Sequence, residues 1–468
     1  MTAPASLESP VPAAAGRPRI LLLGGGFVGL LTARHLLKQL KAGEAQVVVV
    51  DPRPYMTYAP FLPEVAGGSI EARHVVVSLR QALKGADVVT GTVTGMDPAR
   101  KVAFVQPQEG EQVEISYDQV VVGLGAVSRV FPIPGLMEQA IGFKSVEEAT
   151  ACRDHILDRL DAAAVMTDPA AKKRALTFVF VGGGYAGIEA MAELEDLVRA
   201  SVKNHSGISQ DEVNFVVVEA LGRILPEVGP EMGLWSLGQL RERGIDIRLD
   251  TQLKSIEGGH AVLSDGTEFD TDTVVWTAGI KSNPVLAATG LPLDKLGRLT
   301  VRADLRVTGD DGVVDGAWGA GDACAVPDLT KEPGQFCPPN AQHAVRESKT
   351  LAANIVATLR GEALTDYRHK YIGTVASFGI GKGVANTYGL KVKGFPAWLM
   401  HRGYHLYAMP TLDRKVRIAL GWAASGMGVT RDLVAIGRQA RPREEFVAAG
   451  AKPPAPRPVG DPAPGSGA

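Results

Sequence analysis

The chain is punctuated by short apolar runs that stop at glycine or at an acid, each followed by a stretch of helical periodicity. Ile20-Leu-Leu-Leu23 runs into Gly24-Gly-Gly-Phe-Val-Gly29, and Val47-Val-Val-Val50 ends at Asp51. Runs of this length, closed by a turn signal, predict strands buried on both faces, as in a parallel sheet. Leu30 to Leu40 predicts a helix between them. The grammar then repeats. Leu176-Thr-Phe-Val-Phe-Val181 leads into Gly182-Gly-Gly-Tyr-Ala-Gly187, and Phe215-Val-Val-Val218 ends at Glu219. Tyr117 to Val122 before Gly123-Leu-Gly125, Asp272 to Trp276 before Gly279, and Ala317-Trp-Gly-Ala-Gly321-Asp322 predict three more strands that end in glycine turns.

Gly24, Gly26 and Gly29, and again Gly182, Gly184 and Gly187, satisfy G-x-G-x-x-G. The first glycine makes the tight turn, the second lets a pyrophosphate approach the backbone, and the third lets helix and strand pack closely. The helix amides then face the phosphate. Asp51 lies 22 residues after Gly29, where an acid accepts from a ribose diol. Glu219 lies 32 residues after Gly187, with Asn204 to Asp211 read as a loop insertion. Asp322 is placed to accept from a ribose or ribityl hydroxyl, with the amides after it starting a helix; it also suits an N-cap, and the two roles are compatible. The predicted fold class is α/β, with two Rossmann-like dinucleotide-binding domains, the second inserted in a split first. Two such rings brought together serve hydride transfer.

The remaining composition narrows the picture. At 468 residues the chain is long enough for about three units. A net charge of -2 argues against a nucleic-acid binder. Cys152, Cys324 and Cys337 form neither a disulfide framework nor a metal-type cluster, so a reducing compartment is expected. No metal is expected either, and His401 and His405 are read as one face of an amphipathic helix. No signal peptide or membrane-spanning segment is read. The longest uncharged apolar stretch, Ile20 to Ala33, has 14 residues and carries three consecutive glycines.

Charge is unevenly placed. Ten Lys or Arg and only two Asp fall between Lys391 and Arg443, together with Phe395, Trp398, Tyr404, Tyr407 and Trp422. Leu412, Val416, Ala419, Leu420 and Ala423 share one helical face, while Arg414, Lys415 and Arg417 cluster elsewhere. This composition suits an interfacial helix on anionic lipid. A surface helix packed on the catalytic body or on a second subunit is the alternative.

These residues resemble the type II NADH dehydrogenases (NADH:quinone oxidoreductases) among the two-dinucleotide-binding-domain FAD flavoproteins. The likeness is carried by Gly123-Leu-Gly125, Gly187-Ile-Glu189, Trp276-Thr-Ala-Gly279, Gly319-Ala-Gly-Asp322 and Ala341-Gln342, and spans about Arg19 to Arg438. It implies FAD at Gly24, Gly26, Phe27, Gly29, Asp51, Arg53, Gly125, Gly321, Asp322 and Gln342. It implies NADH as co-substrate at Gly182, Gly184, Gly187, Glu219 and Gly279. Glu219 would favour NADH over NADPH by repelling a 2′-phosphate, with Arg223 four residues on pulling the other way. Glu189, Gln342 and Arg346 are the expected catalytic residues, with Glu189 favoured as a carboxylate by the dipole of its helix.

One departure matters. The family's Ala-Gln-x-x-x-Gln reads Ala341-Gln342-His-Ala-Val-Arg346 here. Arg346 could stabilise a reduced quinone oxyanion, signal another acceptor, or pair with Glu347 or another carboxylate.

The resemblance implies a non-pumping enzyme that passes hydride from NADH to FAD and two electrons on to a membrane quinone. It would sit peripherally on the cytoplasmic face of the plasma membrane, with a homodimer left open. The alternatives are an FAD-dependent NADH reductase of a thiol or sulfur acceptor, and a low-turnover membrane-bound NADH sensor. The expected division begins with a disordered arm (1–18) and the first segment of the FAD-binding domain (19–145). The NADH-binding domain (146–297) and the second FAD-binding segment (298–370) follow. A C-terminal helical, amphipathic membrane-associating region (371–443) and a disordered tail (444–468) complete the chain.

Overall fold

A computed structural model gives the fold and describes residues 11–14, 16–370, 372–426 and 431–435. Two sheets carry the two repeats. In the larger, eight strands run in the order Arg306–Gly309, Gly312–Gly319, Gln119–Val122, Arg19–Leu23, Gln46–Asp51, Asp87–Asp97, Val102–Pro107, Val113–Ser116. The five from Gly312–Gly319 to Asp87–Asp97 pair in parallel. The apolar runs fill its centre: all five residues of Arg19–Leu23 are buried, as are Val47 to Val50. The second sheet is wholly parallel, in the order Ala140–Gly142, Thr273–Trp276, Thr177–Val181, Asn214–Val218, Asp246–Arg248.

The two glycine turns are built alike. Gly24 N–H donates to the Val50 carbonyl at 2.8 Å and Gly182 N–H to that of Val218 at 2.9 Å. Gly24 and Gly182 both have positive φ, +99° and +116°, a conformation that side chains with a Cβ resist. A Cβ on Gly29 would lie 1.8 Å from the Gly24 carbonyl oxygen, and one on Gly187 1.9 Å from that of Gly182. The third glycine of each fingerprint is therefore set by the contact between helix and strand. The helices that follow, Phe27–Gln39 and Tyr185–Val202, start two residues before the last glycine of their fingerprints and pack against the sheets.

Several expectations are corrected. Strand Ala140–Gly142 belongs to the second sheet, so that unit begins before residue 146. Short strands Ala126–Ser128 and Ile280–Ser282 pair antiparallel where the chain passes between the units. Asp322 lies in a three-residue 3₁₀ turn, Gly321–Ala323, and the long helix starts only at Ala341, capped by Asn340. The 32-residue spacing to Glu219 comes from the 18-residue helix Tyr185–Val202 as well as from the loop after it.

The N-terminal arm is partly held. Arg19 is buried and its guanidinium donates to the Val11 carbonyl at 3.0 Å and to Gln46 at 3.0 Å. Residues 1–10 and the tail 444–468 lie outside the described residues.

The C-terminal region is not helical throughout. Gly373–Ser377, Gly383–Thr387 and Leu390–Lys393 form an antiparallel three-stranded sheet, and helices Phe395–Ala408 and Leu412–Gly426 follow. Two tight turns in this sheet explain the change from helix to strand: positive φ at Gly379 and Gly381 in one and at Tyr388 and Gly389 in the other. His401 is 1% exposed and Arg402 9%, which places them in the interior rather than on an outer amphipathic face. Among the described residues, no helix is long and apolar enough to cross a membrane.

Gly29→Ala is expected to destabilise the first unit by about 1–3 kcal/mol, because helix and strand must separate to admit the methyl group. A urea midpoint equal to that of the unaltered protein would contradict this close packing.

Candidate functional site

Two adjoining spaces open at the carboxyl ends of the parallel strands, where ligands of such sheets bind. The first, of about 550 Å³, follows the edge of the larger sheet and is lined by Gly24, Gly26, Phe27, Asp51, Arg53, Gly125, Gly321 and Asp322 among others. The second, of about 410 Å³, lies where both units meet the C-terminal region. Its walls include Tyr58, Tyr185, Glu189, Trp276, Gly279, Gln342, Thr374, Tyr404 and His405. Phe27, Pro60, Lys144 and Ala341 line both spaces, so they abut.

The first space fits an adenine dinucleotide. Helix Phe27–Gln39 has no side-chain cap and no acid in its first turn, and a Cβ on Gly26 would meet nothing within 4 Å. The helix therefore presents uncapped amides to an open cradle, as a pyrophosphate requires. Gly184 and helix Tyr185–Val202 repeat every one of these features. Asp51 accepts from the Gly25 amide at 2.7 Å and from the Arg53 amide at 2.8 Å, which fixes it at the strand end. Glu219 does the same work in the second unit, accepting from the amides of Gly183 and Leu221. Asp322 borders the first space, and burial raises its carboxyl above the usual range, opposed by Lys144. Gly182, Gly184, Gly187 and Glu219 stand at the strand ends of the second unit, outside the walls of either space.

Glu189 departs from expectation. It sits in the second turn of its helix, 7% exposed, and accepts from the Ser377 amide at 2.8 Å. Burial raises its carboxyl to about 8, partly offset by that hydrogen bond, so desolvation outweighs the helix dipole and Glu189 keeps its proton at neutral pH. His401 Nε2 is 3.2 Å from Glu189 Oε1.

Gln342 reaches the cavity, but its amide is engaged. Its Oε1 accepts from His369 Nε2 at 3.0 Å and from the Ile372 amide at 3.2 Å, and its Nε2 donates to the Gly373 carbonyl at 3.3 Å. Arg346 is not in the walls of either space; its Nη1 donates to the Gln342 main-chain carbonyl at 2.8 Å, one turn back. Glu347, a suggested partner for Arg346, instead accepts from the Gly321 amide at 2.7 Å.

Sequence reasoning missed Tyr58, Tyr185, Thr374, Tyr404 and His405 as cavity residues. The histidine pair four residues apart was visible, but nothing in the sequence turned that face inward. All three cysteines are buried and none lines the two spaces. Cys337, His343 and Glu347 do converge, with ligand atoms within 4.8 Å of one another. His343 Nδ1 is 2.9 Å from the Tyr367 hydroxyl, Cys337 Sγ donates to the Pro327 carbonyl at 3.9 Å and Glu347 accepts from the Gly321 amide, so each of the three has a hydrogen-bond partner outside the trio.

The sequence profile of the pyridine nucleotide-disulphide oxidoreductase family matches residues 18–348. A type II NADH:quinone oxidoreductase of Staphylococcus haemolyticus is 28% identical over 82% of this chain and 94% of its own length. The demethylphylloquinone reductase NdbB of Synechocystis is 27% identical over 88% of this chain and 97% of its own. The structure of NDH2 from Plasmodium falciparum in complex with NADH superposes with a TM-score of 0.81 at 17% identity, covering 89% of this chain and 99% of that one. At that identity the superposition speaks for the fold.

The buried Glu189 gives a pH test. An unfolded glutamate ionises near 4.5 while the folded one holds its proton to about 8, so the folded state binds more protons between those values and stability falls as pH rises through that window. Glu189→Gln keeps the acceptor for Ser377 and removes the penalty. Its urea midpoint should therefore pull ahead of the unaltered protein's from pH 5 to pH 8; a constant gap across that range would refute the assignment.

Proposed function

The chain belongs to the pyridine nucleotide-disulphide oxidoreductase family, and from that premise we propose that it is a type II NADH dehydrogenase, oxidising NADH and reducing a membrane quinone. The observation that carries the reading is the second cavity. It adjoins the first space and reaches Tyr185 and Ala186 at the start of the helix that follows the second glycine turn, its walls are largely apolar and aromatic, and no cysteine borders it. A flat apolar acceptor fits such walls. A thiol or sulfur acceptor would call for a cysteine there.

FAD belongs in the first space and, when bound, supplies the two-electron acceptor for hydride. The chain's own residues bind and orient. Asp51 and Asp322 stand for the ribose and ribityl hydroxyls, Gly26 and the helix amides for the pyrophosphate, and Arg53 beside them is held by Glu147 at 3.0 Å. Glu219 selects the free 2′-hydroxyl of NADH. Gly279, with positive φ, lets the main chain pass close to the nicotinamide end. Gln342 shapes the acceptor end through its locked amide, and Arg346 acts through Gln342.

The same reading places the protein peripherally on the cytoplasmic face of the plasma membrane. Leu412 is 75% exposed and Leu420 65%, and with Val416 they leave one side of the last helix uncovered. Phe395, Leu399 and Tyr407 continue the exposed apolar surface on the preceding helix. The basic contribution is smaller than the sequence count. Lys391 and Lys393 pair with Glu231, Arg431 pairs with buried Glu193, and Arg402 lies between Trp398 and Trp422. Arg402 and Arg431 are used inside the protein, while Lys391 and Lys393 are offset by Glu231 at the surface. Of the cations on the last helix, Arg414 meets Asp413 at 3.6 Å and Lys415 donates to the Tyr407 carbonyl at 2.6 Å, Arg417 stands with them, and the cations at 438, 441 and 443 lie outside the described residues.

Two experiments test this. In anaerobic stopped flow, NADH should bleach the flavin absorbance and NADPH should not, and a quinone analogue should restore it; bleaching without quinone-driven recovery would overturn the acceptor. In flotation with anionic phosphatidylglycerol vesicles, the unaltered protein should rise with lipid and Leu412→Asp/Leu420→Asp should stay behind. Equal flotation of the two would refute the membrane face, and a change of oligomeric state in the double variant would assign that face to a homodimer instead.

A further inference from the structure

Behind Glu189 lies a second carboxyl group for which the proposed reaction has no role so far. Glu64, on the short helix Leu62–Ala66, is 1% exposed, and neither of its carboxylate oxygens has a hydrogen-bond partner. His401 stands between the two acids. Its Nδ1 is 3.9 Å from Glu64 Oε1 and its Nε2 is 3.2 Å from Glu189 Oε1, and neither ring nitrogen meets hydrogen-bond geometry. Buried polar atoms left without partners cost about 1–3 kcal/mol each. Two such groups in a line, leading to Glu189 in the cavity wall, call for a use.

The chemistry supplies one. Resting on the proposed function, NADH and a quinone become NAD⁺ and a quinol, and the hydride brings both electrons but one proton. The second proton must come from solvent and cross a largely apolar wall. We propose that Glu64 and His401 form a proton line that recharges Glu189 for this step. Glu189 gives its carboxyl proton to the quinone oxygen. His401 then gives its Nε2 proton to the Glu189 carboxylate while its Nδ1 takes the proton of Glu64. The ionised Glu64 regains a proton from solvent, and turning of the His401 ring restores the starting tautomer. A small swing of the ring would close the 3.9 Å gap to hydrogen-bond distance.

The surroundings suit these steps. Glu64 is held protonated by burial and by the nearby Glu193, with Glu189 adding to the effect, while Arg402 opposes it and so eases its brief ionisation. Burial and Arg402 lower His401 to about 3, so the ring is neutral and passes protons without storing one. His405, at 4.5 Å ring to ring, is also neutral and shares its Nδ1 with the Tyr58 hydroxyl at 3.2 Å. Glu193 and Asp196 follow Glu189 along one face of the same helix, and Asp196 is 25% exposed, with Arg431 3.7 Å away. That face leads from the buried pair toward water. Glu64 and His401 are positioning residues for the proton, since Glu189 is the one at the cavity.

Glu64→Gln and His401→Phe test the line, with Glu64→Asp as the conservative variant. NADH bleaching of the flavin should be unchanged in all three, which also shows that they fold. Reduction of ferricyanide, which takes up no proton, should stay as in the unaltered protein. Quinone-driven recovery should slow by about tenfold or more in Glu64→Gln and His401→Phe, gain a larger solvent deuterium effect, and be partly restored in Glu64→Asp. Infrared spectra should show a free carboxyl C=O band that Glu64→Gln lacks. Recovery with unchanged rate and isotope effect in Glu64→Gln would overturn the proton line. Failure of the unaltered protein to recover on quinone, with NADH bleaching intact, would overturn the proposed acceptor instead.

Discussion

The arrangement of the two nucleotide units and the C-terminal region depends on how buried charge is matched where they meet. Glu193 comes from the second unit, Arg402 and Arg431 come from the C-terminal region, and Glu64 of the first unit lies among them with its proton kept by burial. Taking ions such as Arg402 and Arg431 out of water costs several kcal/mol each unless partners compensate. Arg431 donates to the carbonyls of Gly67 and Glu193 at 2.9 and 3.1 Å and to the Glu193 carboxylate at 3.0 Å. Arg402 is layered between the rings of Trp398 and Trp422, 4.3 and 4.7 Å from their centres, and the latter ring packs edge-on against Phe61. The fit has no slack: a Cβ on Gly67 would come 2.8 Å from Glu193 Oε2. No unit can move without stranding a charge on another.

This matching also marks the boundary of what the sequence discloses. The duplicated fingerprint was legible because its rules are local: a strand, a turn that needs positive φ, a helix that must pack at van der Waals distance, and an acid at the next strand end. Gly24, Gly29, Asp51 and their counterparts Gly182, Gly187 and Glu219 stand where those rules put them. The C-terminal region was less legible because its rules are tertiary. Composition counts Lys391, Lys393, Arg402 and Arg431 as surface charge, yet Glu231 and Glu193, the acids that pair with three of them, lie far away in the chain. The same holds for His401 and His405. Their four-residue spacing fits any helix face, and only the arrival of Glu64, Glu189 and Tyr58 decides which way that face turns.

Desolvation gives the cavity its character. The same helix that opens with bare amides for a phosphate carries Glu189 one turn further on, where the dipole no longer dominates and burial does. The result is a proton-bearing acid beside neutral imidazoles in an apolar wall. Such a site holds a proton ready without holding a net charge, which an uncharged ring can approach without displacing a counter-ion.

The substitution at Arg346 fits the same logic. Lys144 already supplies a cation where the two spaces adjoin, and Arg346 adds none to the walls. One turn below, bonded to the Gln342 carbonyl, it acts on the imidazoles around it. Burial is the larger cause that lowers His343 and His369, and Arg346 lowers both further. A neutral His369 whose Nε2 carries the hydrogen donates to Gln342 Oε1 at 3.0 Å, which fixes the amide's orientation, and the Ile372 and Gly373 main chain completes the lock. Arginine at this place therefore touches the cavity only through its neighbours: it holds the Gln342 main chain and adds to the burial that keeps His343 and His369 neutral.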